Sequence, residues 1–119
     1  MHKRVSVLTT SILIREKNPI IFDVRDTASY QSEHVPNAIY LSDQELRSTL
    51  QQATRDRAIL VYCYHGNASQ HIAKLFCDFG FSDVYSLEGG FESWRKEMSE
   101  SGLMTGQAKP DPVVSAISD

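Results

Sequence analysis

Cys63 is the residue of this sequence that is best placed to act as a nucleophile. It follows the apolar run 57–62, which is typical of a buried strand, and it precedes a short loop that leads into a helix near Ser69. In a sheet of parallel strands, binding sites lie at the carboxyl ends of the strands, where this order places Cys63. Gly66 and Asn67 are the residue types that most easily adopt a left-handed backbone, so the loop can curl until several N–H groups point at the sulfur.

The surroundings predicted for Cys63 favour its ionised form. Inward-facing amides and the N-terminus of the following helix, with its unsatisfied N–H groups and positive dipole end, form a cradle for an anion. A thiol in such a cradle has a pKa below its ordinary value, and a protonated His65 would add to the effect. Because the thiolate is the nucleophilic form, we predict that Cys63 reacts at neutral pH. Cys77 lies inside a helical pattern and is predicted to be a packing residue.

The elements that must position Cys63 alternate between strands and helices. Apolar runs predict strands over 5–7, 19–24, 38–41, 57–62 and 84–86. Two of these runs, 19–24 and 57–62, are almost continuously apolar, as expected for strands buried on both faces of a parallel sheet. Capping residues and helical spacing predict helices that begin near Thr9 or Thr10, Asp26, Ser42, Ser69 and Phe91. This alternation predicts an α/β fold, a central parallel sheet covered by helices on both faces.

Length and composition fit one soluble domain. The chain has 119 residues, of which 41% are hydrophobic and 23% charged, and this is enough to bury a core without metals or disulfides. The net charge of -3 and the scattered Lys and Arg residues argue against nucleic acid as a partner. We divide the sequence into a domain over 1–99 and a flexible C-terminal tail over 100–119, where Gly, Pro, Ser and Lys dominate.

The sequence also predicts where the protein is found. No apolar run approaches the roughly 20 residues of a membrane span, and the apolar positions near the start are interrupted by Thr, Ser and Arg, unlike a secretory signal. We therefore expect a cytoplasmic protein with no membrane partner. In that reducing compartment, Cys63 and Cys77 are not expected to form a disulfide.

Four stretches of the sequence resemble motifs of the single-domain rhodaneses, a family of sulfurtransferases. Residues 63–69 read Cys-Tyr-His-Gly-Asn-Ala-Ser, where the bacterial short type of this family reads Cys-Tyr-His-Gly-Asn-Ser-Ser. Residues 22–26 resemble the Asp-Val-Arg segment of the family, and residues 33–38 resemble its His-Ile-Pro-Gly-Ala segment with Asn37 in place of Gly. Residues 87–94 resemble its Gly-Gly-x-x-x-Trp motif. The four stretches follow in the family's order and span about residues 5 to 98.

The resemblance implies a rhodanese-like domain with a two-step reaction at Cys63. The thiolate takes sulfur from a donor such as thiosulfate, and the persulfide then passes that sulfur to cyanide or to a thiol acceptor, such as a thioredoxin-like protein. The resemblance implies no cofactor and no metal. The residues expected to bind the persulfide and the substrate are Tyr64, His65, Gly66, Asn67, Ala68 and Ser69 through their backbone amides, Ser69 also through its hydroxyl, and Arg25 near the loop mouth.

The loop departs from the two-domain rhodaneses in its charge. Those enzymes carry Arg and Lys within the active loop, whereas positions 63–69 contain neither. We therefore expect weak thiosulfate binding, which a micromolar KM would contradict. The same loop also argues against a phosphatase of the Cys-x5-Arg kind, because position 69 is Ser where that chemistry needs Arg to clamp an oxyanion.

Two other functions are conceivable for these residues or this fold, a metal site and a binding module. A metal site would have to use Cys63, His65, His71 and Cys77, which lack the paired spacing of known sites. A non-catalytic rhodanese-like module for binding or regulation stays open, and loading of a persulfide would distinguish it from the enzyme. His34 is expected to hydrogen-bond a neighbouring carbonyl, and Asp23 and Trp94 are expected to be structural.

Overall fold

A computed structural model of the chain describes residues 1–101, in which strands and helices alternate. In chain order the elements are β1 (Lys3–Val5), α1 (Val7–Lys17), β2 (Ile20–Asp23), α2 (Thr27–Ser32), β3 (Ile39–Tyr40), α3 (Asp43–Gln52), β4 (Ile59–Tyr62), α4 (Ser69–Asp78), β5 (Val84–Leu87) and α5 (Gly90–Ser101). The predicted α/β class is confirmed.

The strands of residues 1–101 form one parallel sheet in the order β1-β5-β4-β2-β3. β4, which leads to Cys63, lies between β2 and β5, with Val61 opposite Phe22 on one side and opposite Ser86 on the other. All four residues of β4 are buried, as its continuous apolar run predicted. Because β2, β4 and β5 end side by side, the segments that follow them meet at one edge of the sheet.

Both faces of the sheet are covered, as predicted. On one face Leu60 and Tyr62 of β4 pack in a cluster with Phe91 and Trp94 of α5. On the other face Ile59 and Val61 pack in a cluster that includes side chains of α3 and α4. Alternate residues of β4 therefore pack into the hydrophobic clusters on opposite faces of the sheet. Burying each large apolar side chain stabilises the folded protein by roughly 1.5–3 kcal/mol.

The first two elements begin earlier in the chain than predicted. The structure has helix from Val7 onward, so the predicted strand over 5–7 is wrong, and β1 ends at Val5. Ser6 caps α1 in place of Thr9 or Thr10, because its hydroxyl accepts a hydrogen bond of 3.1 Å from the backbone N–H of Thr9. Thr10 is fully buried instead.

The last described helix, α5, runs to Ser101 and so crosses the predicted domain boundary after residue 99. Glu100 and Ser101, the first residues of the predicted tail, therefore belong to this helix. The remainder of that predicted tail, residues 102–119, lies outside the described residues. Within residues 1–101, every helix is too short or too polar to cross a membrane.

Candidate active site

Cys63 lies directly after β4 at the carboxyl edge of the sheet and is 5% exposed. The loop that follows folds around its sulfur. The backbone N–H of Gly66 donates a hydrogen bond to Sγ at 3.1 Å, and the hydroxyl oxygen of Ser69 lies 3.5 Å from Sγ. The backbone amides of His65 and Ser69 also hydrogen-bond the sulfur. Three backbone amides therefore converge on Cys63, and the Ser69 hydroxyl, which accepts from the thiol, donates to the sulfur when Cys63 is ionised.

The balance between burial and hydrogen bonding favours the thiolate of Cys63. Burial is the largest single influence and raises the pKa, because a charged sulfur is poorly solvated in the protein. The hydroxyl of Ser69 and the amides of Ser69, Gly66 and His65 together outweigh burial, so the pKa of Cys63 lies below its ordinary value. These donors are all neutral, and the nucleophilic form of the cysteine is stabilised by dipoles.

Gly66 gives the loop its shape. Its φ of +95° lies in the region that side chains disfavour, and its carbonyl accepts a hydrogen bond of 2.9 Å from the side-chain amide of Gln70. A Cβ at this position would lie 2.8 Å from the backbone nitrogen of Gly89 and 3.3 Å from the carbonyl oxygen of Leu87. The loop therefore packs backbone against backbone on the turn between β5 and α5, and this contact requires glycine.

The first residues of α5 hold the start of the loop. The backbone N–H of Phe91 donates to the carbonyl of Cys63 at 2.7 Å, and that of Glu92 donates to the carbonyl of Tyr64 at 3.2 Å. A Cβ on Gly90, whose φ is +63°, would lie 2.5 Å from the carbonyl oxygen of Cys63. Sequence reasoning identified this segment only as part of a family motif, and the available signal was the Gly89-Gly90 pair before a helix.

The predicted cradle of loop amides divides into two groups. The amides of His65, Gly66 and Ser69 hydrogen-bond the sulfur of Cys63. Among the described residues, the amides of Tyr64, Asn67 and Ala68 donate to no acceptor. α4 begins at Ser69, so the positive end of its dipole lies beside the same loop. The next N–H groups of the helix, those of Gln70 and His71, donate to the carbonyls of Asn67 and Ala68 at 3.2 Å each.

Arg25, predicted to lie near the loop mouth as a binding residue, is 8% exposed and is held by other protein groups. Its Nε and Nη2 donate to the carboxylate of Asp23 at 3.1 and 2.7 Å, and Nη2 donates to the carbonyl of Glu33 at 2.7 Å. The ring centroid of Phe91 lies 4.2 Å from its Cζ. The guanidinium therefore joins β2 to α5, and a contact of Arg25 with substrate stays a prediction. The structural role predicted for Asp23 is confirmed.

The side chains of Tyr64 and His65 lie at the outer rim of the loop. Tyr64 is 40% exposed, and its hydroxyl hydrogen-bonds the carboxylate of Asp26 and the hydroxyl of Ser29 at the start of α2. The ring of His65 is exposed beside it, with the two ring centroids 6.2 Å apart. That these two aromatic side chains line the approach to Cys63 stays a prediction.

Several residues outside the loop have the structural roles predicted for them. Nδ1 of His34 lies 2.6 Å from the carbonyl oxygen of Tyr30, which confirms the predicted hydrogen bond to a neighbouring carbonyl. Trp94 is buried in the core, and the half-buried Cys77 packs against the cluster on the α3 and α4 face. In the part of the chain that the structure describes, no group of three or more His, Cys, Asp or Glu residues is placed to hold a metal ion.

Comparisons with known proteins find one family. The family model described as "Rhodanese-like domain" matches residues 10–97. Over 95 residues the chain is 43% identical to the thiosulfate sulfurtransferase GlpE of Coxiella burnetii, a match that covers 80% of this chain and 89% of that protein.

Solved structures of low sequence identity share the fold. The rhodanese-like domain of an Anabaena protein is similar with a TM-score of 0.70 and 22% identity, covering 82% of this chain and 76% of that chain. The human single-domain sulfurtransferase TSTD1 is similar with a TM-score of 0.70 and 18% identity, covering 82% of this chain and 98% of that chain.

Proposed function

The chain belongs to the rhodanese family, and from that premise we propose that it is a thiosulfate sulfurtransferase that carries sulfur as a persulfide on Cys63. The observation that carries the proposal is the convergence of hydrogen-bond donors on the buried sulfur, with the N–H of Gly66 at 3.1 Å and the hydroxyl of Ser69 at 3.5 Å. The relative that is 43% identical over most of both chains bears the name of this activity.

The first step of the proposed reaction loads sulfur onto Cys63. The thiolate attacks the outer sulfur of thiosulfate, and a new S–S bond forms between Sγ and that sulfur. The bond between the two thiosulfate sulfurs breaks, and its electron pair leaves with sulfite. Atoms and electrons balance without an added oxidant or cofactor. The lowered pKa of Cys63 increases the fraction of thiolate available for this attack at neutral pH.

The persulfide is stabilised by the loop in this proposal. Its outer sulfur lies about 2 Å beyond Sγ and carries the negative charge. The amides of Tyr64, Asn67 and Ala68, which have no acceptor among the described residues, would donate to this sulfur. Donors already oriented before the charge arrives stabilise it without reorganising, as in an oxyanion hole. In the persulfide, one group of loop amides would therefore hydrogen-bond Sγ, and the group without another acceptor would hydrogen-bond the outer sulfur.

The second step returns Cys63 to its starting state. Cyanide attacks the outer sulfur, leaves as thiocyanate and releases the Cys63 thiolate. In the cell we propose a thiol acceptor, such as the thiol of a thioredoxin-like protein, which would leave as a persulfide in the same way. We also propose a cytoplasmic location, which is supported by two free cysteines of a kind that reducing compartments maintain.

Thiosulfate is expected to bind weakly, as the sequence indicated. The loop carries neither Arg nor Lys, and the guanidinium of Arg25 is paired with Asp23 at 2.7 Å. The anion would then be held by amide dipoles and the N-terminus of α4, without a free cation within the loop. We expect a KM for thiosulfate far above the micromolar range.

Steady-state kinetics test the proposal. Thiocyanate production is measured while thiosulfate is varied at several fixed cyanide concentrations. A persulfide intermediate predicts parallel double-reciprocal lines, Cys63→Ser predicts no turnover, and Cys77→Ser, the matched control, predicts the rate of the unsubstituted protein. Intersecting lines, or turnover by Cys63→Ser, would contradict the persulfide route. A folded protein that produces no thiocyanate from any sulfane-sulfur donor would support a binding module instead.

A further inference from the structure

Tyr64 is hydrogen-bonded through both its backbone carbonyl and its side-chain hydroxyl. Its carbonyl accepts a hydrogen bond of 3.2 Å from the backbone of Glu92 at the start of α5. Its hydroxyl hydrogen-bonds Asp26 and Ser29 at the start of α2. The residue that directly follows the nucleophile is therefore tied to two separate helices.

The acceptor of the Tyr64 hydroxyl is itself fixed by the backbone. Asp26 caps α2, since its Oδ2 accepts the backbone N–H of Ser29 at 3.1 Å and its Oδ1 accepts the hydroxyl of Ser29 at 2.9 Å. The hydrogen bond from Tyr64, followed by those from Ser29, lowers the pKa of Asp26 to about 2. Asp26 is thus an ionised acceptor at neutral pH, held in place whether or not Tyr64 binds it.

The ring of Tyr64 lies over a buried cation. Its centroid is 5.6 Å from Cζ of Arg25, and the ring centroid of Phe91 is 4.2 Å from the same atom. Arg25 is fixed by its two-point contact with Asp23, so the ring rests on a rigid surface. Ring and hydroxyl together fix the first residue of the loop relative to the sheet edge.

We propose that Tyr64 is a positioning residue, whose hydrogen bond to Asp26 keeps the amides of His65 and Gly66 directed at the sulfur of Cys63. This inference rests on the proposed function. The loop holds its anion with dipoles alone, and the hydrogen-bond energy of a dipole falls steeply as distance and angle depart from the optimum. The close packing of Gly66 on Gly89 fixes the middle of the loop, and the contact between Tyr64 and Asp26 fixes its start. The contact is exposed, so it contributes little to the stability of the whole domain.

Paired substitutions separate this role from a general effect on folding. Tyr64→Phe keeps the ring over Arg25 and removes the hydroxyl. Asp26→Ser keeps a good helix cap but is too short to reach Tyr64. Tyr30→Phe is the matched control, because it also removes a tyrosine hydroxyl that donates one hydrogen bond, at 2.7 Å to the carbonyl of Ala38, away from the loop.

Two readouts are measured on the full chain in a Cys77→Ser background. The first is the rate at which iodoacetamide alkylates Cys63 as a function of pH, and the second is kcat/KM for thiosulfate. Tyr64→Phe and Asp26→Ser are each expected to move the alkylation profile to higher pH and to lower kcat/KM by about three- to ten-fold. Tyr64→Phe removes the hydroxyl's bonds to both Asp26 and Ser29, so the double variant should lose no more than Tyr64→Phe alone. Tyr30→Phe should leave the profile unchanged.

An alkylation profile for Tyr64→Phe that coincides with that of the unsubstituted protein would overturn the positioning role. Fully additive losses in the double variant would overturn it as well, because the two side chains would then act independently. Failure of the proposed function is seen separately, since the parent protein would then transfer no sulfur. A parent that transfers sulfur, with variants that match it, refutes only the role of Tyr64.

Discussion

Replacing Gly66 with alanine tests whether the backbone contact beneath the loop controls activity. Gly66 and Gly80 have nearly identical φ values, +95° and +96°, so alanine meets the same backbone strain at both sites. Their surroundings differ. A Cβ on Gly66 would lie 2.8 Å from the backbone nitrogen of Gly89, whereas a Cβ on Gly80 would meet only the flexible side chain of Arg55 at 3.6 Å. Gly80→Ala is therefore the matched control for Gly66→Ala.

The magnitude follows from these contacts. Left-handed strain costs each variant roughly 1–3 kcal/mol of unfolding free energy. In Gly66→Ala the backbone must also move by about 0.7 Å to restore an ordinary contact distance, at a further cost of roughly 1–3 kcal/mol. Because a misplacement of about 1 Å can cost about 100-fold in rate, we expect kcat/KM of Gly66→Ala to fall by about 10- to 100-fold. Gly80→Ala should remain within about two-fold of the parent.

Thiocyanate production from thiosulfate and cyanide gives kcat/KM, and urea unfolding gives the free energy of unfolding and the folded fraction of each variant. Activity is expressed per folded molecule, so that a loss of stability is not mistaken for a loss of catalysis. If Gly66→Ala and Gly80→Ala retained the same activity per folded molecule, the loop geometry would not depend on its contact with Gly89, and the reasoning would be refuted.

Three further predictions concern Cys63 and its support. Ser69→Ala, made in a Cys77→Ser background, should raise the pKa of Cys63 and slow its alkylation at neutral pH several-fold, and an unchanged alkylation profile would be evidence against the role of the hydroxyl. Because the pKa of Cys63 is depressed in the folded protein, its thiolate should add stability above the ordinary thiol value of about 8.5 and lose that contribution as pH falls through the folded pKa. The difference in unfolding free energy between the parent and Cys63→Ala should therefore grow with pH, and a difference independent of pH would be inconsistent with the depressed pKa. Arg25→Lys loses the two-point contact with buried Asp23 and should lower the unfolding free energy by about 2–4 kcal/mol in urea, whereas a loss below about 1 kcal/mol would show that the pair matters little.

The fold and the position of Cys63 were predictable because they depend on local pattern. The apolar runs 19–24 and 57–62 indicated buried parallel strands, and the residue after the second run had to lie at the carboxyl edge of the sheet. The cap of α3 was local in the same way: the hydroxyl of Ser42 accepts the N–H of Glu45 at 3.1 Å. The N-cap of α1 was predicted wrongly because Ser6, Thr9 and Thr10 are all residues that commonly cap helices. The local sequence does not show which of the three is the cap.

Contacts between segments distant in sequence were not predictable in this way. The hydrogen bond from Phe91 to the carbonyl of Cys63 depends on β4 and β5 being neighbours in the sheet. The partner of Arg25 could have been predicted from the sequence, because Asp23 lies two positions before it. Residues two apart at the end of a strand lie on the same face of the sheet. The sequence shows that residue 25 is a positively charged arginine, but not whether its side chain is buried. A buried arginine pairs with a carboxylate of the protein, whereas an exposed arginine is available to bind a substrate.

Intact-protein mass spectrometry tests the central claim most directly. The parent, Cys63→Ala and Cys77→Ser are each weighed before thiosulfate, after thiosulfate, and after cyanide is added last. The account predicts that the parent and Cys77→Ser gain one sulfur atom and lose it to cyanide as thiocyanate, and that Cys63→Ala gains none. A sulfur atom gained by Cys63→Ala, or none gained by the folded parent with any sulfane-sulfur donor, would contradict it.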